Sequence, residues 1–82
     1  MSRAYTEGDY YVGLHITGDG GLYFVHYRVL TPVHPETGNV VFVDEDGARV
    51  EMHPRFAEQM RHLLPDEEFP EINLEPWRDD KS

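Results

Sequence analysis

The sequence predicts an α+β domain: a four-stranded antiparallel β-meander with one C-terminal helix packed on one face, followed by an extended acidic tail. Three observations carry that expectation. Two Asp-Gly pairs, Asp19-Gly20 and Asp46-Gly47, each lie between apolar runs of strand composition, a strong short-range signal for a hairpin. Pro54 opens a segment with apolar residues at helical spacing. From Pro65 onward the chain becomes acidic and is broken by prolines. The organisation that follows is a flexible lead-in over 1–8, a ββββα domain over 9–64 and an acidic tail over 65–82.

The first hairpin runs from Tyr10 to Leu30. A type I′ turn centred on Asp19-Gly20 pairs Ile16 with Tyr23, Leu14 with Val25 and Val12 with Tyr27. It also sets His15 opposite Phe24, Gly13 opposite His26 and Tyr11 opposite Arg28. Side chains alternate across a strand, so Val12, Leu14, Ile16, Tyr23, Val25, Tyr27 and Val29 fall on one face, expected to be core. Tyr11, His15, Phe24, His26 and Arg28 fall on the other, a mixed aromatic and cationic surface of the composition found at interface hot spots.

Residues 31–39, with two prolines, a glycine and an asparagine, read as a loop, unless the second strand continues to Val33 past a bulge at Pro32. Val40 to Val43 is a strand by its β-branched content. Centring the next turn on Asp46-Gly47 pairs Val43 with Val50, Val41 with Met52 and Asp44 with Arg49. Residues 54–64 then read as the helix. Proline is favoured at its first position, and Phe56, Met60 and Leu63 form an apolar stripe that packs on the aliphatic face. Leu14, Val25, Val41, Val50, Phe56 and Met60 are the expected shared core.

Eighty-two residues make one small domain. The chain has no cysteine, which excludes disulfides and thiolate metal sites. It has no apolar run long enough to span a membrane as a helix and no signal-peptide core near Met1, so a cytoplasmic location is expected. The formal net charge is −9. Residues 1–64 carry nine acidic side chains against five arginines, and residues 65–82 carry seven against two basic ones. An acidic chain repels phosphates, which disfavours direct nucleic-acid binding and favours a basic partner.

No catalytic constellation is present. The carboxylates lie in turns and the tail, Ser2 and Ser82 are terminal, and the glycines around Asp19 form a hairpin turn rather than a phosphate cradle. His15 and His26, placed diagonally on one face, could supply two metal ligands, but no third is evident and zinc needs three or four. No metal, cofactor or catalytic residue is therefore expected. The tail, by contrast, carries Phe69, Ile72, Leu74 and Trp77, which a purely solvating segment has no use for. Its prolines forbid a regular helix over most of its length, and Ile72 and Leu74 alternate with polar residues as in a strand that adds to a sheet edge. The target is either an edge of this chain's own sheet or, preferred, a partner with a basic rim. The expected partner-binding residues are thus Tyr11, His15, Phe24, His26, Arg28, Phe69, Ile72, Leu74 and Trp77. The function these suggest is a small acidic inhibitor or adaptor, such as a phage or bacterial regulator, that occupies a basic surface of another protein. The alternatives are an accessory subunit buried in a larger assembly and a His-based metal or nucleic-acid binder. Neither the partner nor the oligomeric state is legible in the sequence.

Overall fold

A computed structural model describes residues 4–78. Its elements are β1 (Tyr10–Ile16), β2 (Leu22–Thr31), β3 (Val40–Asp44), β4 (Arg49–Met52), a single helical turn α1 (Pro54–Ala57) and β5 (Arg61–His62), with a 3-10 turn at Glu75–Trp77. All five strands form one antiparallel sheet in the order β4-β3-β2-β1-β5. The expected C-terminal helix packed on the sheet is absent.

That helix begins as anticipated. His53 caps it, its Nδ1 accepting from the Arg55 amide, and Pro54 stands at its first position. It ends after one turn because residues 61–63 make better use of their backbone elsewhere. An isolated helix of eleven residues is marginal in water, whereas β1 offers an unpaired edge whose polar groups need partners. Arg61 pairs with Val12 and His62 with Tyr11, and the Leu63 amide donates to the Tyr10 carbonyl at 3.0 Å. Extended geometry also sends Met60 and Leu63 into different cores, on opposite faces of the sheet. Phe56 and Leu64, which a helical stripe would have buried, are exposed.

Both hairpins are shifted by one residue from the expected register, for one reason. Their turns are type I with a glycine bulge, not type I′. The Gly20 amide donates to the Thr17 carbonyl and the Thr17 amide to the Gly21 carbonyl; only Gly20 has positive φ, at 90°. The second turn repeats this. The Gly47 amide donates to the Asp44 carbonyl, the Asp44 amide to the Ala48 carbonyl, and Gly47 has φ 85°. Three loop residues therefore replace two. Leu14 faces Phe24, Ile16 faces Leu22 and Tyr11 faces Tyr27; Val43 faces Arg49 and Phe42 faces Val50. The expected Asp44–Arg49 cross-strand pair does not form. Residues 32–39 form the expected loop, with Thr31 kept in β2, and it is closed by hydrogen bonds from the His34 amide to the Asn39 carbonyl and from the Gly38 amide to the His34 carbonyl. β2 ends at Thr31, with a bulge between Val29 and Thr31 rather than at Pro32.

The shift exchanges the faces of β1. Tyr10, Val12, Leu14 and Ile16 share a face with Leu22, Phe24, His26 and Arg28, while Tyr11, Gly13 and His15 share the other with Tyr23, Val25 and Tyr27. Both faces are covered over the wide end of the sheet. On one, Tyr10, Leu30, Val41 and Val43 pack with Leu63, Ile72 and Leu74. On the other, Tyr11, Tyr27, Val29, Val40 and Phe42 pack under Ala57 and Met60, with Tyr5 against them. Gly13 belongs to this second face: a Cβ there would lie 3.2 Å from the Met60 sulfur, so the strand glycine makes room for Met60. Of the six residues expected to share a core, Val41 and Met60 are buried, though on opposite faces. Val25 and Val50 are partly buried, and Leu14 and Phe56 are exposed.

The tail is therefore part of the fold. Its described part, as far as residue 78, lies against the first face, with Ile72 and Leu74 buried and Phe69 stacked on Tyr10 at 3.9 Å between centroids. The Ile72 amide donates to the Tyr10 hydroxyl, and Trp77 Nε1 donates to the Gly47 carbonyl. Ile72→Ala should lower stability by about 2–5 kcal/mol, the range for deleting a buried Ile side chain. Leu14→Asp should cost less than about 1 kcal/mol, as expected for an exposed cross-strand position. Chemical denaturation of both variants checks the assignment; a Leu14→Asp chain that unfolds while Ile72→Ala does not would invert it.

Candidate functional site

β2 is ten residues long and β3 only five, so the sheet narrows toward the first hairpin. β3 pairs with β2 from Tyr27 to Thr31, and β5 pairs with β1 only at Tyr11 and Val12. Beyond those points the hairpin continues as a two-stranded arm, residues 13–25. Neither the tail nor α1 covers its end. Leu14, Ile16, Leu22 and Phe24 lie side by side on one face as the cross-strand pairs Leu14–Phe24 and Ile16–Leu22. They are 55%, 72%, 65% and 65% exposed. A two-stranded ribbon is marginal by itself, so the arm keeps its shape through its turn and its root. At the turn, the Thr17 hydroxyl donates to the Asp19 carboxylate and accepts from the Gly21 amide. The Thr17 hydroxyl, and after it the Gly21 amide, which also donates to the Asp19 carboxylate, hold the Asp19 carboxyl below its usual range. At the root, His15 shares a 2.9 Å hydrogen bond with the Tyr27 hydroxyl and stacks on Tyr23.

The apolar face leads toward an acidic wall. Val12, Phe24 and His26 on the sheet, Arg61 on β5, Leu63 just after it, and Glu67 and Glu68 on the tail line one groove of about 500 Å³. Glu67 accepts from the Leu64 amide and is paired with Arg61 at 2.9 Å, and these two contacts lower its pKa. On the other side of His26, the carboxylate of Glu45 accepts from both His26 Nδ1, at 2.8 Å, and the His26 amide, at 2.7 Å. The ring bond, then the amide bond, holds Glu45 below the ordinary glutamate range.

The residues expected to bind a partner are scattered over the molecule. Tyr11, Ile72 and Leu74 are buried in this chain's own cores. Arg28 is partly buried, donating to the Gly8 and Ile72 carbonyls and lying 5.0 Å over the Tyr10 ring. Phe69 and Trp77 are partly exposed but contact Tyr10 and Gly47. Phe24 and His26 remain together on an open surface, and Phe69 shares a second groove with His26. His15 and His26, expected on one face, are on opposite faces because of the shift in register. Among the described residues no group of three or more His, Asp and Glu side chains is placed to hold a metal ion. The acidic end of the tail, Asp79 and Asp80, lies outside the described residues.

Leu14, Ile16 and Leu22, assigned to the core or left unassigned by the sequence reading, are the main new members of the surface. A signal for them was present. Thr17 and Asp44 occupy the first position of four-residue turns that end in Gly20 and Gly47, the preference of a type I turn. No protein-family model, no curated protein and no solved structure matches the chain. The site therefore rests on its own geometry. No helix among the described residues is long and apolar enough to cross a membrane.

The lowered pKa of Glu45 has a consequence for stability. A carboxyl that titrates lower in the folded than in the unfolded chain adds stability that is complete above the ordinary glutamate range. That stability is lost as pH falls through the folded value. Glu45→Gln should therefore remove part of the dependence of melting temperature on pH below about pH 4.5. Thermal melts across that window check it; a variant with an unchanged acid limb would show that the bond to His26 contributes nothing.

Proposed function

We propose that this chain is a small acidic, non-enzymatic protein-binding module that occupies a basic surface of another protein, as a cytoplasmic inhibitor or adaptor would. The observation that carries this reading is the exposed apolar face of the arm: Leu14, Ile16, Leu22 and Phe24 contiguous on one side of a projecting hairpin. Contiguous exposed apolar surface with a polar rim marks interaction sites on soluble proteins. The rim here carries three carboxylates, Glu67 and Glu68 bounding the groove with Arg61 paired to Glu67, and Glu45 beside His26. The net charge of −9 has the same sense. Apolar anchors give such a contact its affinity, and the surrounding charge sets its on-rate and its choice of partner.

The reading places the binding determinants on the arm rather than on the tail, whose apolar residues are used in cis. Immobilised chain, incubated with an extract of its source cells, should retain a basic protein identifiable by mass spectrometry. The double variant Leu14→Ser, Phe24→Ser should keep the fold, checked by circular dichroism, and lose at least about 90% of that retention, as removal of two anchors costing 1 kcal/mol or more each implies. Retention should fall steeply as salt rises, because the rim charges are solvent-exposed. Equal retention by the double variant would overturn the proposal, and retention insensitive to salt would favour a subunit buried in a larger assembly.

A further inference from the structure

The arm has two open edges as well as an apolar face. In an antiparallel ladder, residues alternate between pointing their N–H and C=O at one neighbour and at the other. The Thr17 amide bonds to the Gly21 carbonyl and the Val29 amide to the Asp9 carbonyl, so the odd-numbered residues of β1 and β2 bond to each other. The even-numbered residues face outward. On β1, Tyr10 and Val12 are met by Leu63 and Arg61, and Leu14 and Ile16 extend beyond β5. On β2, Arg28 is met by Val43. The outward amide of His26 is taken by the Glu45 carboxylate, and Leu22 and Phe24 lie beyond the end of β3.

Natural sheets protect such edges with charges, prolines or a covering segment. β4, at one edge of the sheet, follows that rule, with Arg49 and Glu51 on it and Glu51 tied to Thr37 and Asn39 across the loop. The outer edge of β2 does not: Gly21-Leu22-Tyr23-Phe24-Val25 has no charge and no proline and is rich in residues that favour strands. Charge separates the two open edges of the arm. The edge of β1 ends against Arg61, whose charge is paired with Glu67. The edge of β2 ends against Asp44, the last residue of β3, and Glu45 and Asp46 in the turn that follows, with Glu67 and Glu68 across His26.

We infer that the outer edge of β2 over Leu22–Val25 receives an extended segment of the basic partner as an added antiparallel strand in line with β3. This rests on the reading of the arm as the binding surface and specifies how it binds. The added strand exchanges main-chain hydrogen bonds with Leu22 and Phe24. Its residues opposite these two share their face and are apolar, widening the patch that already holds Leu14 and Ile16. Running antiparallel to β2, as β3 does, it has its N-terminal end at His26, where lysine or arginine meets Glu45 and its acidic neighbours. Recognition is thus by main-chain bonds at alternate residues, apolar side chains on those same residues and a cationic N-terminal end, the general mode of strand addition at a sheet edge.

The test uses the full chain, labelled with nitrogen-15, and the synthetic peptide Lys-Lys-Ile-Thr-Val-Thr-Val as probe. Titration should shift the amide signals of Leu22 and Phe24 and slow their hydrogen exchange, with the Leu14 and Ile16 amides little changed in exchange rate. N-methylation of the peptide at the residues that bond to Leu22 and Phe24 should weaken binding at least tenfold, and Glu-Glu in place of Lys-Lys should weaken it severalfold at low salt. Equal binding of the methylated peptide, abolished by Phe24→Ser, would overturn strand addition and leave the apolar face as the binding surface. Slowed exchange at Leu14 and Ile16 instead would assign the strand to the wrong edge. Concentration-dependent shifts at Leu22 and Phe24 without peptide would show that a second copy takes the edge, and absence of any binding at millimolar peptide would also overturn the inference. Neither of the last two results bears on retention of a partner by the immobilised chain, which judges the functional reading separately.

Discussion

Where the positive-φ glycine falls in each hairpin turn decides what the rest of this chain can do. Gly20 and Gly47 each follow two loop residues of ordinary φ, so each turn spends three residues instead of two. One residue is the full period change between faces of a strand. With the turn at Asp19 built this way, Leu14 and Ile16 move to the face of Phe24, and Tyr11 and Gly13 to that of Tyr27. Everything downstream conforms to that choice. The face bearing Tyr11 receives Met60 over Gly13, and the face bearing Tyr10 receives Leu63 and the tail. The aliphatic residues left over, at the far end of the arm, have nothing in this chain to pack on.

Covering both faces explains why so small a chain needs its tail. A five-stranded sheet with apolar residues on both sides cannot be sealed by one helical turn, and small domains bury too little surface to leave a face open. Ile72 and Leu74 complete the core on the side that α1 does not reach. Arg28 secures this arrangement from within. Its guanidinium donates to Gly8 and Ile72 carbonyls and lies over Tyr10, so one side chain holds the chain before β1 and the tail to the same strand. The acidic residues of the tail then stand at the margin of the apolar face rather than free in solution, as Glu67 does by pairing with Arg61 and the Leu64 amide.

Much of this was written in local sequence. Strands β1 to β4 stood out through their β-branched and aromatic content, both turns through Asp-Gly, and the apolar content of the tail marked it as a segment that docks. What local sequence left open was each choice between two nearly equal local solutions. Asp-Gly serves in a type I′ turn or at the end of a type I turn with a bulge, and the deciding residues, Thr17 and Asp44, act through side-chain bonds to the turn, as when Asp44 accepts from the Asp46 and Ala48 amides. Residues 58–64 satisfy a helical stripe, yet the edge of β1 competes for Arg61 and His62, and that competitor lies some fifty residues away. The site was hidden for the same reason. Phe24 was assigned to the surface in either register, whereas Leu14 and Ile16 change from core to surface with a single-residue shift.

The exposed arm is unlike the other margins of the sheet in a way that bears on its role. At β4 the chain places Arg49 and Glu51 and closes the loop over them; at the root of the arm it caps the His26 amide with Glu45. Protection therefore extends along the sheet and stops at Phe24. Beyond that point uncharged, strand-favouring residues project with their apolar face and their backbone both open. Such a combination is an aggregation hazard in an isolated protein, and the charge of the whole chain, −9, opposes association between copies. Opposition between like molecules is attraction toward a cationic one. A surface that is dangerous in self-contact, carried on a body that repels itself, suits a contact reserved for a partner of the opposite charge.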